Sequence, residues 1–420
     1  MADVPASRRD RRRLRWAVRC AVLVAAGIAI VGVLPWEGAV AVVPAASPFV
    51  TAATALATRS VGVLALAAAP VLLLAILGRR WFCRWACPVG LLSETLGGVR
   101  RGKGPGLARW PAVGQWVLLV TLGGAALGYP MLVWVDPLAM FSAAVGAWLR
   151  PLGLVTLLAC LPLLLVLLVS VIAPGLWCGR LCPLGGMQDL LALPGRLFGR
   201  RRAPLGDTEA AANPAPGERD SGWAFGRRAF LGVGAGGAVA LATEAAGRGT
   251  DPPVRPPGGA TEDRFVGLCI RCGNCVRACP SGILRPDLGM AGVAGLLAPR
   301  AVFRDGFCAA DCNACGRVCP SGAIAPLALA EKRQRVMGLA EVQTEKCVLA
   351  GGQECGVCVS ACPYEAVDIV EPEAAFPAYP YPRVLAAKCV GCGACEYECP
   401  TAPPRAIRVV AGSGTLADRV

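Results

Sequence analysis

Of the 420 residues, 22 are cysteine and none is histidine. Sixteen of the cysteines fall into four runs in the second half of the chain. "CIRCGNCVRACP" supplies Cys269, Cys272, Cys275 and Cys279, and "CAADCNACGRVCP" supplies Cys308, Cys312, Cys315 and Cys319. "CVLAGGQECGVCVSACP" supplies Cys347, Cys355, Cys358 and Cys362, and "CVGCGACEYECP" supplies Cys389, Cys392, Cys395 and Cys399. This spacing suits thiolates around a cubane: a tight loop wraps three of them around one cluster, and the fourth, just before proline, reaches the neighbouring cluster. Gly273, Gly391 and Gly393 let the backbone approach the inorganic sulfides and aim N–H groups at them. Zinc knuckles do not use a three-plus-one-then-proline run, and a disulfide framework gives no reason for a proline after every fourth cysteine. Four 4Fe-4S clusters are therefore expected. The lack of histidine excludes bis-histidine haem, Rieske centres and histidine-based triads, and no haem is expected.

Four more cysteines form a second pattern. "WFCRWACPVGLL" and "LWCGRLCPLGGMQDLL" each carry Cys-x3-Cys-Pro, with Cys83/Cys87 in one and Cys178/Cys182 in the other. Cysteines four apart share a helical face, so the two pairs would present four thiolates to one soft metal or redox centre, an additional iron–sulfur site. Packing of buried small residues beside Trp81, Trp85 and Trp177 explains one pair but not the duplication. Cys20 and Cys160 lie in apolar stretches without partners and read as core.

The elements that position these motifs are apolar. Hydrophobic residues make up 55% of the chain and charged residues 17%. Stretches at about 17–34, 57–78, 113–135 and 152–174 each approach the roughly 20 residues a membrane helix needs. The formal charge of +14 sits in short arginine clusters between these stretches, a positive-inside pattern rather than a nucleic-acid face. That pattern places the N-terminus and the loops carrying the cysteine pairs in the cytoplasm. "SPFV" and "DPLAMF" precede the second and fourth stretches' halves of the pattern, so the membrane region reads as two hairpin repeats with a site at their interface. Glu37 and Asp136, near the outer face, are the proton-accepting candidates there, against the plainer reading of solvated acids at helix ends.

"GRRAFLGVGAGG" (226–237) admits two readings. A dinucleotide fingerprint needs a strand before it and a βαβ unit after it, yet a charged linker precedes and the Pro/Gly stretch 247–262 follows. The alternative is an internal twin-arginine export address, Arg227-Arg228, before a weakly apolar helix. Iron–sulfur clusters are assembled in the cytoplasm, so a domain that carries them outside must cross already folded, as the twin-arginine translocase allows. Small residues at 240–246 would also permit cleavage.

On these residues the chain resembles the ferredoxin-type proteins. The 1–200 half, with two Cys-x3-Cys-Pro motifs, is similar to NapH, and the 222–420 half, with Arg227-Arg228 and four cluster runs, is similar to NapG. MauN and MauM share the architecture, and NosR shares the membrane motif. The resemblance implies an α-helical membrane domain of four transmembrane helices as two hairpin repeats, a fifth signal or anchor helix, and an α+β polyferredoxin domain. The implied boundaries are 1–16 basic tail, 17–195 membrane domain, 196–226 cytoplasmic linker, 227–246 twin-arginine helix, 247–262 Pro/Gly linker and 263–420 four-cluster domain. It further implies an inner-membrane electron carrier rather than an enzyme, passing electrons from membrane quinol to a periplasmic reductase or cytochrome, with no nucleic-acid partner. Two other classes fit the same motifs: an accessory protein maturing a periplasmic metalloenzyme, and a cytoplasmic polyferredoxin.

Overall fold

The computed structural model describes residues 6–32, 38–77, 80–98, 111–149, 151, 153–192, 221–245, 252–290, 292–371 and 379–419. They divide into two compact units, residues 1–246 with 267–272, and residues 247–266 with 273–420.

The first unit is helical. It comprises α1 (Ala6–Val31), α2 (Ala39–Ala45), α3 (Pro48–Thr58), α4 (Ala69–Leu77), α5 (Trp81–Trp85), α6 (Pro88–Gly97), α7 (Val113–Ala126), α8 (Pro137–Trp148), α9 (Leu154–Ile172), α10 (Pro183–Leu191) and α11 (Ser221–Ala245). Two segments, Arg13–Val31 and Leu154–Ile172, are long and apolar enough to cross a membrane; α2 and α3 would make a third, bent by 92°. The other two expected spans are interrupted. In 57–78 the helix stops at Thr58, Arg59 turns left-handed at φ 54°, and a 3-10 stretch (Val63–Ala68) precedes α4. In 113–135 the helix stops at Ala126, where Gly128 takes φ 90° and Pro130 follows.

A local rule repeats four times. The helices α3, α6, α8 and α10 each begin with proline at their first position, after Ser47, Cys87, Asp136 and Cys182 respectively. Proline is at home there because its missing N–H would have no partner anyway. Each preceding side chain accepts a hydrogen bond from the first turn. The repeat seen in the sequence is thus a repeat of capped half-helices.

α11 begins six residues before the expected 227. Its backbone passes very close to α7: a Cβ on Gly236 would lie 2.0 Å from the Val120 carbonyl oxygen, and one on Gly123 2.2 Å from that of Val233. Glycines four apart, Gly232 and Gly236, form the contact face, the small-residue packing used between membrane helices. Arg227 and Arg228 lie in this helix, and their side chains are outside the described residues.

The second unit is built from short pieces. Three two-stranded antiparallel sheets pair β1 (Leu284–Pro286) with β2 (Pro299–Ala301), β3 (Gly338–Val342) with β6 (Ile407–Ala411), and β4 (Val367–Val370) with β5 (Tyr381–Val384). A strand follows the first, third and fourth cysteine runs: β1, β4 and β6 respectively. After the second run only an isolated bridge forms, Ile324 with Gly259, because Pro326 ends the extended stretch. Short helices hold the cysteine loops: α12 (Glu262–Leu268), α13 (Asn274–Ala278), α14 (Ala314–Arg317), α15 (Leu329–Gln334), α16 (Val357–Ser360) and α17 (Ala394–Glu398).

Candidate iron–sulfur sites

Three thiol quartets form in the second unit. Cys308, Cys312 and Cys315 gather with Cys279, the fourth cysteine of the preceding run. Cys389, Cys392 and Cys395 gather with Cys362, the fourth cysteine of the third run. Cys347, Cys355 and Cys358 gather with Cys399, the fourth of the last run. A small cavity is lined by all four thiols of this last quartet together with Val342 and Ile407. That a fourth cysteine leaves its own run is what the spacing anticipates; that its partners are the adjacent run in the chain is read from the structure.

The loops that make this possible are glycine-dependent. Gly273 (φ 73°) and Gly393 (φ 83°) start α13 and α17 in the left-handed region, which side chains other than glycine's enter at a cost. In the second and third runs the fourth cysteine accepts from the chain that follows it: Ile324 donates to Cys319 Sγ at 3.4 Å and Ala366 to Cys362 Sγ at 3.3 Å.

Burial and the neighbouring thiols push Cys315 up to about 12 and Cys358 up to about 11. Cys392 rises to about 12, from burial despite a backbone hydrogen bond from Ala394. Thiols raised in this way give up their protons when a cationic metal group takes their place. Among the described residues no three side chains converge closely enough to hold a single metal ion. A 4Fe-4S cluster asks one thiolate of each of its irons, four in all. Lys332 of α15 is buried beside Cys308 and donates from Nζ to the Ala309 carbonyl at 2.5 Å. It stands beside the second run's thiols, and no motif announced it. Tyr364, two residues after Cys362, is a second such residue: its hydroxyl is buried with no hydrogen-bond partner among the described residues.

In the first unit the two Cys-x3-Cys-Pro motifs face each other. Cys83, Cys87, Cys178 and Cys182 lie within electrostatic reach of one another. Gln188 Nε2 donates to Cys83 Sγ at 3.1 Å, across the two repeats. Arg80 donates to the Cys178 carbonyl at 2.9 Å and pairs with Asp189 at 2.5 Å. The halves match closely: Gly90 donates to Cys87 Sγ and Gly185 to Cys182 Sγ, both at 3.4 Å. The pairs do not share one helical face, however. Cys83 lies in α5 and Cys178 in a π-turn (Trp177–Leu181), while Cys87 and Cys182 cap the next helices. Pro88 and Pro183 disfavour helix in the residue before them, so each pair straddles a break. A cavity of about 270 Å³ adjoins Cys182, lined also by Arg80, Gln115, Arg180 and Asp189.

The remaining candidates separate. Cys160 is half-buried with its Sγ 3.8 Å from the Ala144 carbonyl, but Cys20 is exposed on α1 rather than in a core. Glu37 lies outside the described residues. Asp136 is not a solvated acid: it is fully buried, caps α8 and accepts a hydrogen bond from Ser47.

Comparison with known proteins agrees with this arrangement. A "4Fe-4S binding domain" model matches residues 60–105 and 155–201, each match containing one Cys-x3-Cys-Pro motif. "4Fe-4S dicluster domain" models match 268–324 and 346–402, each containing two of the four runs. The MauM methylamine utilization ferredoxin-type protein of Methylorubrum extorquens is 35% identical over 39% of this chain and 76% of its own length. The ferredoxin-type protein NapG of Escherichia coli is 34% identical over 44% of this chain and 85% of its own length. NapH of Haemophilus influenzae is 30% identical over 36% of this chain and 52% of its own. The chain spans about two thirds of the length of the curated MauM relatives it matches. No solved structure matches it. Paired cysteine runs, exchanged fourth ligands and these relatives agree: the chain belongs to the ferredoxin-type 4Fe-4S proteins, the family of NapG and MauM.

Proposed function

We propose that the chain is a membrane-anchored electron carrier, not a substrate-converting enzyme. Electrons from quinol enter at the membrane domain (17–195) and pass through four 4Fe-4S clusters in 263–420 to a periplasmic reductase or cytochrome. The observation that carries this reading is the exchange of fourth cysteines between adjacent runs. Such exchange holds two clusters close together and suits one-electron relay rather than substrate binding. By the same pattern of spacing, Cys319 is the fourth ligand for Cys269, Cys272 and Cys275. Cys83, Cys87, Cys178 and Cys182 would hold a fifth centre, supported by the facing motifs and by Gln188. The polar cavity beside Cys182 has the donors and the carboxylate that a quinol headgroup requires.

Arg227-Arg228 is read as the signal by which the twin-arginine translocase carries 263–420 outward, with α11 retained as the anchor. The NapG likeness favours periplasmic nitrate reduction as the pathway. The MauM likeness supports a second reading, service to methylamine utilization, either as a relay or as an accessory to a periplasmic metalloenzyme. Anaerobic purification from membranes tests the whole proposal. About sixteen irons per chain are expected from the C-terminal runs, and about twenty with a membrane cubane. A soluble quinol should then reduce the clusters; clusters that stay oxidised would leave the quinol link without support, and protein without iron would end the relay reading altogether.

A further inference from the structure

The two dicluster segments meet at a hydrogen bond between cluster-ligand residues. The amide of Cys308 donates to the Cys392 carbonyl at 2.9 Å, and that of Met337 to the adjacent Val390 carbonyl at 2.9 Å. Cys308 belongs to the quartet completed by Cys279, and Cys392 to the quartet completed by Cys362. Glycine permits this approach: a Cβ on Gly391 would lie 2.6 Å from the Gly338 backbone, and one on Gly393 2.1 Å from the Phe303 ring.

Tyr364 fills the junction. Its ring packs with Cys308 against the buried group that includes Val390 and Cys392. It also packs on the neighbouring core that includes Cys389 and Cys395. Its hydroxyl is buried without a partner among the described residues, and buried phenol hydroxyls are almost always hydrogen-bonded. The acceptors that a loaded protein would supply at this spot are cluster sulfurs. The third run's quartet connects elsewhere, through Cys358, which neighbours Cys395. The fourth run's quartet is therefore flanked by the second run's on one hand and the third run's on the other.

We propose that electrons cross between the two dicluster segments at Cys308–Tyr364–Cys392, so that the relay meets the fourth run's cluster before the third run's, and that the Tyr364 hydroxyl donates to a cluster sulfur at this crossing. Chain order and electron order then differ, and the Cys347/Cys355/Cys358/Cys399 site is the end of the wire. Its loop, lengthened by the long first gap of the third run, is exposed from Gly351 to Glu354, as a terminal exchange point requires. Each crossing moves one electron: the donor cluster is oxidised by one unit, the acceptor reduced by one, and no bond or proton changes place. The electrons come from a quinol or, in the test, from dithionite. A hydrogen bond to a cluster sulfur stabilises the more negative, reduced state and so raises the potential.

This inference rests on the cluster-binding reading, and the test separates the two. The full chain is purified anaerobically, assayed for iron, reduced with dithionite and titrated by EPR. Tyr364→Phe is expected to keep wild-type iron and to move at least one cluster's midpoint to lower potential. Full iron with every midpoint unmoved would overturn the role of Tyr364. For the order, Cys389→Ser/Cys392→Ser is expected to narrow the spin–spin broadening of the second run's cluster to the part that its first-run neighbour causes, while Cys347→Ser/Cys355→Ser leaves it as in wild type. The reverse pattern would overturn the order. Tyr364→Phe removes a single oxygen, so its result stands whether or not the serine variants accumulate. Wild-type protein lacking iron would instead overturn the cluster reading itself.

Discussion

The Ser47 hydroxyl donates to the Asp136 carboxylate at 2.6 Å, joining the starts of α3 and α8. The two residues occupy matching places in the two repeats, so the bond ties one repeat to the other inside the fold. Asp136 also accepts from the Leu138 and Ala139 amides at 2.9 and 3.1 Å. Asp136→Ala removes a helix cap, which costs about 1 kcal/mol. It also strands a buried hydroxyl, which costs about 1–3 kcal/mol more. Thermal unfolding in detergent should show that loss, with Asp136→Asn milder because the amide oxygen still caps. An Asp136→Ala variant as stable as wild type would mean that this bond does not hold the repeats together.

The membrane thiols give a prediction about metal. Gln188 bridges to Cys83 from the opposite repeat, as a neighbour that tunes a centre would. Cys83→Ser/Cys178→Ser should lower iron by about four per chain, one cubane, and leave the C-terminal spectrum unchanged. If the variant keeps both the iron content and the redox spectrum of wild type, the four thiols hold no centre.

Ligand exchange predicts where damage appears. Cys279 gathers with the second run's thiols, although it stands four residues from Cys275. Cys279→Ser should therefore alter the spectrum of the cluster held by Cys308, Cys312 and Cys315. EPR of that variant beside Cys308→Ser should show the same cluster disturbed in both. Disturbance of two different clusters would contradict the exchange.

The glycine face of α11 predicts a cost for bulk. Gly236→Leu cannot fit against the Val120 carbonyl without moving the helices apart, and forced overpacking of this kind costs about 1–3 kcal/mol. Cysteine cross-linking between α7 and α11 should weaken in Gly236→Leu and persist in Gly234→Leu, since nothing lies within 4 Å of a Cβ at Gly234. Equal cross-linking in both variants would show that the glycines are not there for packing.

The four cysteine runs were legible because their pattern is local: three thiols and a fourth before proline are written in a dozen or so consecutive residues. The duplicated Cys-x3-Cys-Pro was legible for the same reason, but not its geometry, since the proline that marks the motif also breaks the helix between its two cysteines. Asp136 read as a surface acid because sequence carries no sign of Ser47 across 89 positions. Lys332 and Tyr364 carry no mark in the sequence because neither belongs to a repeating pattern.

The sequence by itself determined that this protein gathers thiols in threes and ones, since ligand type and loop length are properties of neighbouring residues. Only the tertiary structure decided which fourth cysteine completes which three, and that the second run lies against the fourth. Those are contacts between residues dozens of positions apart, and they depend on Gly391 letting its backbone approach that of Gly338, and Gly393 the Phe303 ring, where any side chain would hold them off.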